Sequence, residues 1–227
     1  MPLEYVDILF QLIVFLFAIS VHESAHAWMA NKRGDPTARM LGRISLNPIK
    51  HIDPVGTVLM PLIAAIAHIP VIGWAKPTPV DPRNFKNPVL DDILTAVVGP
   101  ISNFVVAAGA TLVLLGVKHS SPLGFQIVRG LPSGSSWLQT DSLLVPFCFF
   151  IYELLIINVV LAVFNLIPVP PLDGSHVIRH FLPEAIGKIY DTAGWIGLIA
   201  LVYLGGGLLS SLITPFVNIF RYILFTA

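Results

Sequence analysis

Charged residues are scarce in this chain: Asp, Glu, Lys and Arg make up 11% of its 227 residues, against roughly 25% in a soluble domain. With 55% apolar residues and a mean hydropathy of +0.81, this balance excludes an ordinary water-soluble domain and points to an integral membrane protein. Neither sign of charge dominates, 13 basic residues standing against 13 acidic ones, so no nucleic-acid surface is expected. Cysteine is nearly absent: Cys148 has no partner, which excludes an intrachain disulfide. The N-terminus lacks a basic n-region, carrying Glu4 and Asp7 instead, and no small-residue cleavage site interrupts the first apolar run. That helix is therefore expected to stay. No repeat or low-complexity tract is visible, and residues 1–227 read as one membrane domain.

What the chain does have is long apolar runs. A spanning helix needs about 20 mostly apolar residues. Residues 5–30, 93–117 and 142–167 satisfy this, and 193–220 does so with an interruption at Gly205–Gly207. The connection 31–54 carries Lys32, Arg33, Arg39, Arg43 and Lys50, and 76–92 carries Lys76, Arg83 and Lys86. The positive-inside rule places both in the cytoplasm. The short stretch 55–72, with Pro61 and Pro70, then reads as re-entrant within the region 31–92. Residues 118–141 become an exterior loop, 142–180 a returning core helix with a cytoplasmic continuation, and 193–220 a C-terminal helix running outward. The expected fold is all-α and polytopic, four to six spans with a re-entrant element.

One of these runs contains "VHESAHAW", residues 21–28. An ionised side chain in hydrocarbon costs several kcal/mol, so His22, Glu23 and His26 need compensation. HExxH on a helix sets two imidazoles about 6 Å apart on one face, suited to one tetrahedral zinc. Glu23, about 100° round the helix, reaches the metal's water without ligating the metal. A catalytic zinc wants a third protein ligand and an open position. The candidate lies in "NLIPVPPLDGSHV", 165–177, where Pro168, Pro170 and Pro171 break the helix after Ile167 and Asp173-Gly174 follows as a turn. Broken backbone at membrane depth is tolerated where protein or a water-filled cavity receives its polar groups. The topology brings this break and the inner third of the first helix to the same cytoplasmic face.

HESAH, NLIPVPPLDG, "GWAKPTPV" (73–80) and "GPISNF" (99–104), in this order and over the whole chain, resemble the site-2 proteases, intramembrane zinc metalloproteases. No PDZ-like or CBS-like insertion is visible, which fits a compact form. The resemblance implies one zinc per chain held by His22, His26 and Asp173, Glu23 as general base and acid, and Asn165 as a hydrogen-bond donor to the substrate carbonyl. The family's Asn-Pro-Pro reads Asn-Leu-Ile-Pro here. It also implies a transmembrane protein substrate in the bilayer, such as a membrane-tethered regulator of transcription (an anti-sigma factor, for example). With no targeting signal visible in the sequence, the cell membrane is the expected location. A helical substrate must unwind, and 38–46 and 75–80 are expected to offer it a strand edge near the site, so the re-entrant element is expected to be partly β-stranded.

The other polar residues read more plainly. His176 and His180 are expected to be solvated, His51 and Asp53 to lie in a loop by the interface, and His68 and His119 to be interfacial. Asn103 reads as a helix–helix hydrogen-bonding residue beneath the site with Gly99 and Pro100. Glu153 lines a cavity or is neutral, while Trp28, Trp74, Tyr152 and Tyr222 read as interfacial anchors or core. Two other functions compete. A metal-ion transporter should show internal repeats and acids on several facing spans, and a non-catalytic scaffold should have lost Glu23 or a ligand. Neither signature is present.

Overall fold

The computed structural model describes residues 3–60, 63, 74–133 and 142–226. The expectations for Pro61, His68, Pro70 and Gly73, and for 134–141, lie outside the described residues. Among the described residues, five helices are long and apolar enough to cross a membrane. They are α1 (Leu3–Arg33), α3 (Pro88–Ser120), α5 (Leu144–Asn165), α7 (Glu184–Leu204) and α8 (Gly206–Thr226). Between them stand α2 (Thr37–Met40), α4 (Pro122–Gly130) and α6 (Asp173–Arg179).

The centre of the fold is α3, which packs on α1, α4, α5, α6 and α8. Small residues on α3 (Ala107, Ala110) let α5 approach, and Leu114, Leu155 and Val159 fill the seam. The helix α4 corrects the expected plain loop at 118–141. Ser121 accepts from Gly124 N–H and Pro122 opens the helix, both favoured at an N-terminus. Its Ile127 and Val128 are fully buried with Leu114, so core burial draws this segment into a helix. At the same end Lys118, itself buried, donates to Leu224 O at 3.0 Å and satisfies a carbonyl at the α8 C-terminus.

The C-terminal run is also two helices, α7 and α8, where one interrupted helix over 193–220 was expected. The break falls at Gly205, whose N–H closes on Leu201 O. A Cβ there would lie 2.5 Å from that carbonyl oxygen. On one side of the break, Leu198 of α7 packs with Ile167 and Leu172, and Leu209 of α8 joins the same cluster.

Among the described residues there is no strand, so the partly β-stranded element is not found. Residues 38–46 form the end of α2 and a turn through Gly42 at φ 67°. Residues 74–81 form neither helix nor strand. Pro77 and Pro79 have no N–H, Lys76 N–H is spent on His51 O, and Thr78 N–H is spent on Glu23. Helical turns at Pro48–Lys50, Pro54–Leu59 and Pro82–Asn84 flank these stretches, capped by Asn47, Asp53 and Asp81.

Candidate metal and proteolytic site

His22 and His26 sit one turn apart on α1, with ring centroids 4.6 Å apart and nearly perpendicular. Each ring is oriented from behind. His26 Nδ1 lies 2.6 Å from Thr95 O; a carbonyl only accepts, so Nδ1 carries the proton and donates. His22 Nδ1 lies 2.7 Å from Asn103 Oδ1. The Asn103 amide is fixed by its other end, whose Nδ2 donates to Ala18 O at 3.2 Å and Asn158 Oδ1 at 2.7 Å. Asn158 is fixed in turn by donating to Leu154 O. The relay Leu154–Asn158–Asn103 acting on His22, and the Thr95 carbonyl acting on His26, place the Nδ1 protons and turn the lone pair of each neutral ring's Nε2 toward the same point.

The third group arrives from the break after α5. The chain leaves helix at Asn165, passes the cis Pro170–Pro171 peptide and re-enters helix at Asp173. Asp173-Gly174 opens α6, where a turn was expected. Gly174 serves close approach, since a Cβ there would lie 2.8 Å from Ile167 O and overlap Leu166 O. This delivers Asp173 Oδ2 to 3.0 Å from His22 Nε2 and Oδ1 to 3.4 Å from His26 Nε2. One ligand atom from each of the three residues lies within 4.8 Å of the others. Zinc bonds of about 2.0–2.2 Å in a tetrahedron set ligand atoms about 3.4 Å apart. Asp173 Oδ2 is buried with no hydrogen-bond partner, a costly arrangement that a cation at the centre would resolve. Gly99 makes the space: a Cβ there would overlap the His26 ring and stand 2.8 Å from His22 Cε1. The residues fit a metal ion.

Glu23 stands beside this triad and outside it. Its Oε2 accepts from Thr78 N–H at 3.0 Å and Thr78 Oγ1 at 2.7 Å. Asn165 does not join in this structure, its amide donating to Leu161 O on its own helix at 2.9 Å.

His176 and His180, expected to be solvated, both meet Asp92 Oδ2, at 3.3 and 2.8 Å. Asp92 stands between them as a latch from α6 to α3; among the described residues the three form no metal-sized cluster. His51 is buried, with Nε2 2.7 Å from Ser45 O, and lies outside the triad. Sequence reasoning missed Thr78, Thr95 and Asn158. Thr95 acts through its carbonyl, which carries no side-chain signal. Thr78 is marked only by its position between two prolines.

Membrane-length helices around two buried histidines and a partly buried carboxylate define a polytopic membrane protein with the donor set of a metallohydrolase. Comparison with known proteins gives the family. Residues 10–204 match the model of peptidase family M50, and the chain belongs to this family, the site-2 protease group. It is 35% identical over 197 residues to "Putative zinc metalloprotease YwhC" of Bacillus subtilis strain 168, covering 85% of this chain and 78% of that one. It is 28% identical over 222 residues to "Putative zinc metalloprotease Rip2" of Mycolicibacterium smegmatis, covering 96% and 72%. No solved structure matches. The chain is a zinc metallopeptidase of the membrane.

Proposed function

We propose that the protein is an intramembrane zinc endopeptidase that cuts a peptide bond within or near the transmembrane segment of a membrane protein. The observation that carries this reading is the convergence of His22 Nε2, His26 Nε2 and Asp173 among membrane-length helices, with Glu23 alongside. These three residues would hold one zinc per chain. When bound, zinc supplies Lewis acidity to a water and to the scissile carbonyl.

The rest is the work of the chain's own residues. Thr78 ties down one oxygen of Glu23, leaving the other to take a proton from the attacking water and pass it to the leaving amine. The Asn165 amide, by leaving Leu161 O, would donate to the carbonyl oxygen as charge develops there. The unwound substrate needs partners as well. The run 75–80 beside Glu23 offers carbonyl acceptors for its N–H groups, with no free donor at 76–79. The basic loops 31–54 and 76–92 favour a site on the cytoplasmic side of the cell membrane. The substrate class is then single-span proteins, including membrane-tethered regulators such as an anti-sigma factor.

The test uses the protein in lipid nanodiscs with a single-span protein substrate, and product ends mapped by mass spectrometry. Ends within or at the margin of the apolar segment, abolished by a zinc chelator and restored by zinc, are expected. Cleavage confined to soluble segments would contradict the proposal.

A further inference from the structure

On the platform between α1 and α3, Arg43 is 5% exposed. Its guanidinium donates to Lys50 O and, at 2.9 Å, to Pro77 O. No carboxylate pairs with it among the described residues, and the acids of this region are engaged elsewhere. Asp35 accepts from Thr37, Asp81 N–H and Asn84, Asp53 caps its own turn, and Asp81 pairs with Arg83. A buried cation without a counter-ion is costly, which calls for an anion from outside the chain.

Arg43 lines an open cavity of about 530 Å³ together with Lys50 and Lys76. The remaining walls are apolar: Leu41, Ile49, Pro77 and Pro79. Ile49 of this wall is 76% exposed, and Met40, next to Leu41 in the chain, is 79% exposed. Among the described residues the lining holds three cations and no acid, set against an apolar wall, which matches one molecule that is both anionic and greasy.

We propose that this cavity binds the phosphate headgroup of an anionic phospholipid, with acyl chains lying over Met40, Leu41 and Ile49. Free phosphate has the same charge but no use for the apolar wall. An acidic peptide has no long apolar chain to cover Met40, Leu41 and Ile49, and residues 76–79 offer its carbonyls no free N–H donor. The site also touches the catalytic region. Pro77, held by Arg43, precedes the Thr78 that holds Glu23. The inference does not depend on the proteolytic reading.

The test is binding of phosphatidylglycerol and phosphatidylcholine to the full chain in detergent, by native mass spectrometry, for wild type and Lys50→Gln/Lys76→Gln. Both lysines are exposed, so the variant should keep its fold, and retained zinc checks this. Wild type should hold phosphatidylglycerol preferentially. The double variant should bind it about ten- to thirtyfold more weakly, with millimolar inorganic phosphate failing to displace it. Lys76→Gln alone, expected to lose about fivefold, serves if the double variant misfolds. Equal binding of the two lipids, or unchanged binding in the variants, would overturn the proposal. So would displacement by phosphate, which would mark a free-anion site, or capture of an acidic peptide in place of lipid.

Discussion

At the scale of single residues, the site is made by what stands behind the triad. Gly99 leaves no side chain where the two imidazoles lie. Gly99→Ala is expected to weaken zinc binding about 10- to 100-fold, the range seen when groups that orient ligands are disturbed, while the protein still folds. A competition titration with a chelator checks this, and wild-type affinity would contradict it. Thr78 acts on the other component. Its hydroxyl and N–H share one Glu23 oxygen, so Thr78→Val removes one hydrogen bond to a carboxylate. Such a bond is worth about 1.5–3 kcal/mol, or roughly a ten- to hundredfold fall in kcat. KM and zinc content should hold, and Thr78→Ser should restore the rate. A change in KM alone would assign Thr78 to substrate binding instead.

At the scale of elements, two ties hold the site's pieces in register. The Asp92 latch fixes α6, and with it Asp173, against α3. Asp35 fixes the end of α1 to the 81–84 turn that follows the Thr78 run. It accepts from Thr37, from Asp81 N–H at 2.8 Å and from Asn84 at 2.8 Å. Gly34 allows this turn, with φ of 118° and Asn84 O 2.8 Å from where a Cβ would be. Burial alone would raise the Asp35 value, but these hydrogen bonds outweigh it and hold the carboxyl below its usual 3.8. A value depressed on folding gives stability that is complete above the unfolded value and is lost as pH falls through the folded one. Asp35→Ala should therefore lower the thermal midpoint most at pH 7, with the gap to wild type narrowing below about pH 3.8. A gap independent of pH would contradict this. The break between α7 and α8 is set locally, by glycine and the Leu201 carbonyl.

At the scale of the molecule, the residues with steep chemical demands were legible in the sequence. His22, Glu23 and His26 stand out because hydrocarbon penalises them, and Asp173 because prolines break the helix just before it. The fold brings the triad together across 147 to 151 residues of chain. The apolar runs gave α1, α3 and α5 to within a few residues at most ends, since length and hydropathy decide a span. Other features depend on contacts that a linear reading does not hold. The nine-residue α4 forms because Ile127 and Val128 find the core. The expected strand edge at 75–80 does not form because Pro77 and Pro79 have no N–H and the N–H groups of Lys76 and Thr78 are spent on His51 O and Glu23. Asn103 read as a packing residue, yet it sets the tautomer of His22, a role visible only once Ala18 O and Asn158 are placed.

The central claim is that a zinc held by His22, His26 and Asp173 works with Glu23 to cut peptide bonds. The most direct measurement is bound zinc and cleavage of a transmembrane-helix substrate, on the same purified samples of wild type and Glu23→Gln. Because Glu23 stands outside the triad, equal zinc in both is expected, at about one per chain. Cleavage by Glu23→Gln should be at least about 100-fold slower than wild type. Absence of zinc from both proteins, or full activity without Glu23, would contradict the account.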